Sequence, residues 1–158
     1  MARRPLRTRQ QAAAYLPSAL VLDCSVALAW YLEGEGTEFT DGLLHAIPKL
    51  EIWVPALWKL EFCNALFSAE RRRRISAAER AQIVGQASLH LLNVDPHLMS
   101  LREVDELSGQ YNLTPYDAVY FELARRRKLP LATLDAALVK AARAAKMPLL
   151  TDSSLYPT

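Results

Sequence analysis

The chain has 158 residues, 51% of them apolar and 23% charged, with a formal net charge of +2. That length suits one domain with a sizeable core, in an ordinary globular composition, and so small a charge gives no overall argument for a nucleic-acid partner. No apolar stretch approaches the ~20 residues of a membrane span, and two cysteines without a paired histidine cannot build an ordinary zinc site.

The first eleven residues, MARRPLRTRQQ, are basic and lack acids, and the AAAYL run after them stops at Pro17, too short for a secretory signal. Residues 1–18 read as a loose basic leader, an overcalled start or a phosphate-seeking tail, with a transit peptide a weaker fit to the composition, ahead of a single domain over 19–158. Leu20-Val21-Leu22 is a continuous apolar run, as in a strand buried on both faces. One or two helical turns over 25–30 follow and halt near Gly34 and Gly36. Residues 37–47 read as an amphipathic helix closed by Pro48. Ile52-Trp53-Val54 is a second strand, and Pro55 is expected to open a long helix reaching Arg74. Ser76-Ala77-Ala78-Glu79 is a capping box that starts a helix to Leu92. Asn93-Val94-Asp95 is a weak strand, Pro96 opens a helix ending near Asn112, and Thr114 caps another that reaches Lys128. Leu131-Ala132-Thr133 is a strand, Asp135 begins a helix to Lys146, and Leu149-Leu150 is a last short strand. Strands alternating with helices predict a parallel sheet covered on both faces. Cys24 and Cys63, each inside an apolar run, read as reduced core thiols of a cytoplasmic protein.

In open parallel sheets, sites form at the carboxyl ends of strands. Asp23 directly follows the first strand, and Asp135 follows the Leu131–Thr133 strand by two residues. Asp117 lies in the first turn after Thr114, and Glu61 lies inside the long helix. Taken singly, Asp23 and Asp135 read equally well as N-caps, and Thr114-Pro115-Tyr116-Asp117 has capping-box spacing. Glu61 is harder to explain away. At ~100° per residue it shares a helix face with Leu57, Asn64 and Ser68, with Lys59 and Glu70 roughly opposite and Leu60, Phe62, Leu66 and Ala69 on the flanks. A simple amphipathic helix has one polar stripe; a second one suits a polar cleft. Carboxylates gathered in a cleft stay ionised together only with a counter-cation, and oxygen-only donors select Mg²⁺ or Mn²⁺ rather than zinc. His45, His90 and His97 fall on expected helices away from these acids and read as structural or surface residues. There is no Gly-rich phosphate loop and no G-x-S-x-G elbow.

Four strings, VLDCSVALAWYL at 21–32, VPALWKLEFCNAL at 54–66, LTPYDAVYFELA at 113–124 and PLATLD at 130–135, resemble the PIN domain and, within it, the VapC toxins of type II toxin–antitoxin systems. RRRRISAAERA at 71–81 resembles the family's helix–turn–helix passage, and the likeness spans about residues 20–150. The resemblance implies a three-layer α/β/α sandwich with a parallel sheet of four or five strands. It assigns Asp23, Glu61, Asp117 and Asp135 to an acidic quartet that binds Mg²⁺ or Mn²⁺, with Asp23 and Asp117 foremost as direct ligands and Glu61 and Asp135 acting directly or through water. It makes Ser25 and Thr133 hydroxyls that hold carboxylates or water, and Asn64 a polar residue facing the site. It implies endonucleolytic cleavage of RNA by metal-activated water, a homodimer, and silencing by a cognate antitoxin over the cleft. The basic leader departs from relatives that begin almost at the first strand.

Arg71–Arg74 and Arg125–Arg127 with Lys128 end two helices. Each cluster can offset a helix dipole or steer RNA phosphates. Trp53, Trp58, Tyr116 and Tyr120 could stack bases but more often serve as core or dimer contacts. Two rival readings share the fold: a non-catalytic PIN-fold module that binds RNA or a partner, and another α/β metal phosphohydrolase. A phosphoaspartyl enzyme would want a second acid two residues after Asp23, where Ser25 stands.

Overall fold

The computed structural model describes residues 17–151. The expected leader falls outside the described residues, apart from Pro17 and Ser18. Five strands form one parallel sheet in the order β3-β2-β1-β4-β5, with helices on both sides. They are β1 (Ala19–Leu22), β2 (Glu51–Pro55), β3 (Leu92–Asp95), β4 (Leu131–Ala132) and β5 (Leu149–Leu150). β1 is central, and its Leu20, Val21 and Leu22 are fully buried, which is why that segment reads as an unbroken apolar run.

From β1 the chain winds outward through β2 to β3, then returns to place β4 on β1's other side. The strand order therefore reverses between β1 and β4, where a crevice opens at the carboxyl ends.

The helices are α1 (Cys24–Ala29), α2 (Glu38–Ala46), α3 (Trp58–Arg71), α4 (Ala77–Ala87), α5 (Leu101–Tyr111), α6 (Pro115–Arg127) and α7 (Ala136–Ala144). A single 3-10 turn, Ile47–Lys49, carries Pro48 after α2. α6 packs on β1, β2 and β4 and against α5 and α7. It carries Tyr120 and Phe121, both fully buried, into the core.

Several boundaries and placements differ from the sequence expectation. Pro55 ends β2 instead of opening α3, because a φ fixed near −65° suits extended chain as well as a helix start. α5 begins at Leu101, five residues after Pro96. The stronger start signal is Ser100 with Glu103, whose side chains satisfy each other's backbone N–H. α4 stops at Ala87, so His90 lies in the turn after it and His97 in the stretch before α5. The expectation that both histidines sit on helices fails. His90 Nε2 instead meets the Tyr31 hydroxyl at 2.7 Å. Cys24 is buried as expected, but Cys63 is exposed on the outer side of α3 and is not a core thiol.

The Ser76 capping box forms as read. Ser76 Oγ accepts from Glu79 N at 3.2 Å, and Glu79 Oε2 accepts from Ser76 N at 2.7 Å. Ser76→Ala should therefore cost about 1 kcal/mol of stability, read from the urea midpoint. No helix among the described residues is long and apolar enough to cross a membrane.

Candidate functional site

Asp23 leaves β1 at the crevice and is buried. Although it is the N-cap residue of α1, its side chain does no capping. Its Oδ2 instead accepts from Ser25 Oγ at 2.5 Å and from Thr133 Oγ1 at 2.7 Å. Ser25 Oγ accepts in turn from Leu134 N at 3.1 Å, and Thr133 Oγ1 from Asp135 N at 2.9 Å. Two hydroxyls thus lace the end of β1 to the end of β4 and aim one carboxylate. Thr133→Val would take one of two hydroxyl donors from the buried Asp23 and leave Asp135 N without its acceptor, and should lower stability by about 1–3 kcal/mol, measured by chemical denaturation.

The other three acids reach the same end of the sheet from different elements. Asp135 caps α7 through Oδ1, which accepts from Leu138 N at 2.8 Å. Asp117 sits in the first turn of α6, where its Oδ2 accepts from Thr114 Oγ1 at 2.6 Å while its own N–H donates to that hydroxyl. Glu61, on α3, accepts a short hydrogen bond at Oε2 from the Tyr120 hydroxyl. The capping explanation therefore holds for Asp135 and in part for Asp117, and it fails for Asp23. Among the described residues, each of the four carboxylates has one oxygen hydrogen-bonded by the protein and the other without a protein donor.

The acids feel one another. Burial, then the charges of Asp117 and Asp135, push the Asp23 carboxyl above its ordinary range, against the pull of the Ser25 and Thr133 hydroxyls. Burial, then Asp23 and Asp117, likewise raise Glu61 against the hydrogen bond from Tyr120. Convergence stops short of a closed cage. Among the described residues, no three His, Cys, Asp or Glu side chains are grouped to hold a metal ion. The donor set still has the chemistry of a hard-cation site: oxygens only, anionic, partly desolvated and mutually repelling.

Residues 20–144 match the profile of the PIN domain. The chain belongs to the PIN domain family. PIN domains are generally metal-dependent nucleases, so the family implies a nucleic-acid substrate and a divalent metal. The chain is also similar in fold to the crystal structure of PAE2754 from Pyrobaculum aerophilum. The TM-score is 0.62 at 22% identity, over 78% of this chain and 84% of that one. A search of curated proteins returned no match.

Around the acids of this PIN domain, the remaining candidates divide. Asn64 is exposed one turn beyond Glu61 and makes no hydrogen bond to the acids. Of the four aromatic candidates, Tyr120 is fully buried, and Trp58 is buried in a stack on Phe62 at 5.0 Å. Trp53 lies beneath the Arg127 guanidinium at 3.3 Å. Tyr116, beside Asp117, is 64% exposed.

The second arginine cluster is largely engaged. Arg126 and Arg127 both bind the buried Asp95 at the end of β3, Arg126 also pairs with Glu122, and Arg125 lies over Phe121. In the first cluster Arg74 pairs with Glu35 at 2.6 Å, and Arg71–Arg74 are all exposed.

Sequence reasoning named Tyr120 as a ring for stacking or packing and missed its hydroxyl as the partner of Glu61. It also missed Asp95 as a third acid at a strand's carboxyl end.

Proposed function

We propose that the chain is an endoribonuclease of the VapC toxin kind that cleaves RNA with Mg²⁺ or Mn²⁺. The observation that carries this reading is the delivery of four carboxylates, from four separate chain segments, to the switch point of the sheet, each with one oxygen anchored and one oxygen without a protein partner. Asp23 and Asp117 are the direct ligands of the reading, with Glu61 and Asp135 acting directly or through water. A divalent cation held there supplies positive charge to the phosphate and lowers the pKa of the water it binds. Ser25 and Thr133 hold Asp23 at the crevice, and the hydroxyl of the buried Tyr120 holds one oxygen of Glu61. The rest of the reading follows the sequence likeness: a cytoplasmic protein that works as a homodimer and is silenced by a cognate antitoxin laid over the cleft.

Without cation, four carboxylates repel RNA, so approach as well as chemistry depends on metal. Fluorescent RNA incubated with Mg²⁺ or Mn²⁺ should be cut internally, and a chelator should stop the cutting. Binding without turnover would support a non-catalytic module instead. Hydrolysis of small phosphate esters alone would support another phosphohydrolase.

A further inference from the structure

The structure separates arginines bound to the protein from arginines open to a ligand, and it places Arg71 and Arg72 at the end of the helix that carries Glu61, with Arg73 in the turn that follows. Arg74, Arg126 and Arg127 are held in ion pairs with Glu35, Asp95 and Glu122. Among the described residues, Arg72 and Arg73 make no ion pair, and Arg71 donates only to Ser68 Oγ, at 3.0 Å.

α3 buries Trp58, Phe62, Leu66 and Ala69 along one stripe. Glu61, Ser68 and Arg72 follow at spacings of seven and four residues, which at ~100° per residue returns them to one other face, with Asn64 and Arg71 at its margin. The Arg71–Ser68 hydrogen bond draws that guanidinium back along the stripe. A polar track therefore runs from Glu61 to Arg72 over eleven residues, or about 16 Å at ~1.5 Å per residue. Its acidic end is the candidate site, and its cationic end has no protein counter-charge.

The geometry points to a phosphate track on α3: single-stranded RNA, cut at the acids, lies along this helix with its backbone held by Arg71, Arg72 and Arg73. The span equals about five stacked nucleotides at ~3.4 Å each, fewer if the strand is extended. RNA that ends close to the scissile phosphate on that side does not reach the arginines. This inference rests on the nuclease reading for its direction of travel and not for the binding itself.

The test compares the wild type with Arg71→Gln/Arg72→Gln/Arg73→Gly. Arg73 has a left-handed backbone, φ 58, which glycine adopts more readily, so the single variant Arg73→Gly removes a charge without harming the turn. Both variants are checked by melting temperature. Binding of a labelled unstructured 20-nucleotide RNA is followed by anisotropy across a salt series at one fixed Ca²⁺ concentration, which offsets the charge of the acids, and a gel checks that the RNA stays uncut. The triple variant should bind at least tenfold more weakly, with a log–log salt slope shallower by about two. Arg73→Gly alone should melt no lower than the wild type and still flatten the slope. With Mg²⁺ or Mn²⁺ present, the triple variant should lose kcat/KM through KM on the long RNA and keep wild-type rates on RNA trimmed to two or three nucleotides on each side of the cut.

An unchanged salt slope, or equal losses on long and short RNA, would overturn the track. If the wild type cuts nothing but the slope flattens, the track stands and the nuclease reading falls. If the wild type cuts and the slope does not change, the reverse holds.

Discussion

Asp117→Asn should lower RNA cleavage by about 10²–10³-fold or more while the protein stays folded. The substitution keeps the shape of the side chain and an oxygen able to accept from Thr114 Oγ1, so the first turn of α6 stays anchored. What it removes is one anionic oxygen facing the crevice. Two opposing effects act on the metal-free protein. Loss of an acid in a helix first turn costs about 0.3–1 kcal/mol, while Asp23 and Glu61, both pushed upward by Asp117 among other causes, are relieved of a like charge. The net change in chelator should stay within about 1 kcal/mol. The decisive difference lies in the response to cation. At a hundred times its dissociation constant, a bound ion stabilises a protein by about 2.7 kcal/mol. The wild type should show an upward melting shift of that order with Mn²⁺, and the variant little or none. A variant that cuts at the wild-type rate, or gains as much stability from Mn²⁺, would remove Asp117 from the site.

Much of this site was legible because its acids break local rules that other residues obey. Glu61 stands on a second polar stripe of a helix that needs only one, and of that stripe the structure brings Glu61 itself to the Tyr120 hydroxyl and within reach of the charges of Asp23 and Asp117. Asp23 ends a run of three fully buried residues, where a charge needs a partner. Its partners, Ser25 and Thr133, lie one close in sequence and the other across the sheet, and only the resemblance named them beforehand. Tyr120 was read as core or dimer contact, and its ring is core; its hydroxyl, though, reaches Glu61 from 59 residues away, a pairing no local spacing encodes. Asn64 shows the opposite limit. Helical periodicity places it near the Glu61 face, but it stands exposed with no hydrogen bond to the acids.

The fold was legible in its alternation and its strands, and less so at helix ends. A proline does not by itself decide where a helix opens. Pro55 closes a strand, and Pro96 precedes four residues without regular structure, because caps with reciprocal partners, such as Ser100 with Glu103, decide where hydrogen bonding begins. Leu60 shows that pattern alone misplaces helix faces. Periodicity puts it on an apolar flank, yet it is 77% exposed on the outer side of α3, while Trp58 fills the buried stripe.

Asp95 obeys the same strand-end rule as Asp23 and Asp135 but takes another role, and removing it should have the largest effect on stability. Its side chain is buried and accepts from Arg126 Nη2 at 2.8 Å, from Arg127 Nε at 2.6 Å and from His97 N at 3.0 Å. The two arginines belong to the last turn of α6, so this one carboxylate clamps the end of that helix to the edge strand of the sheet. The other end of α6 carries Asp117. Breaking a buried ion pair from one side costs about 3–5 kcal/mol. Here the arginine side chains keep 36% and 28% exposure and can turn to water, so Asp95→Ala should fall at the lower end, about 3 kcal/mol. The pH dependence has a definite sign. Burial alone would raise the Asp95 carboxyl, but the hydrogen bonds from Arg126, Arg127 and His97 N, with the charge of Arg126, outweigh it and hold it below the ordinary carboxylate range. A carboxyl depressed in the folded state contributes its stability above its unfolded pKa, about 3.9, and loses it as pH falls through the folded value. The stability gap between wild type and Asp95→Asn should therefore be full at pH 6 and should shrink by pH 3, measured by urea unfolding at each pH. A gap of equal size at both would mean that Asp95 acts through packing or a neutral hydrogen bond, and that the charge clamp on α6 does not exist.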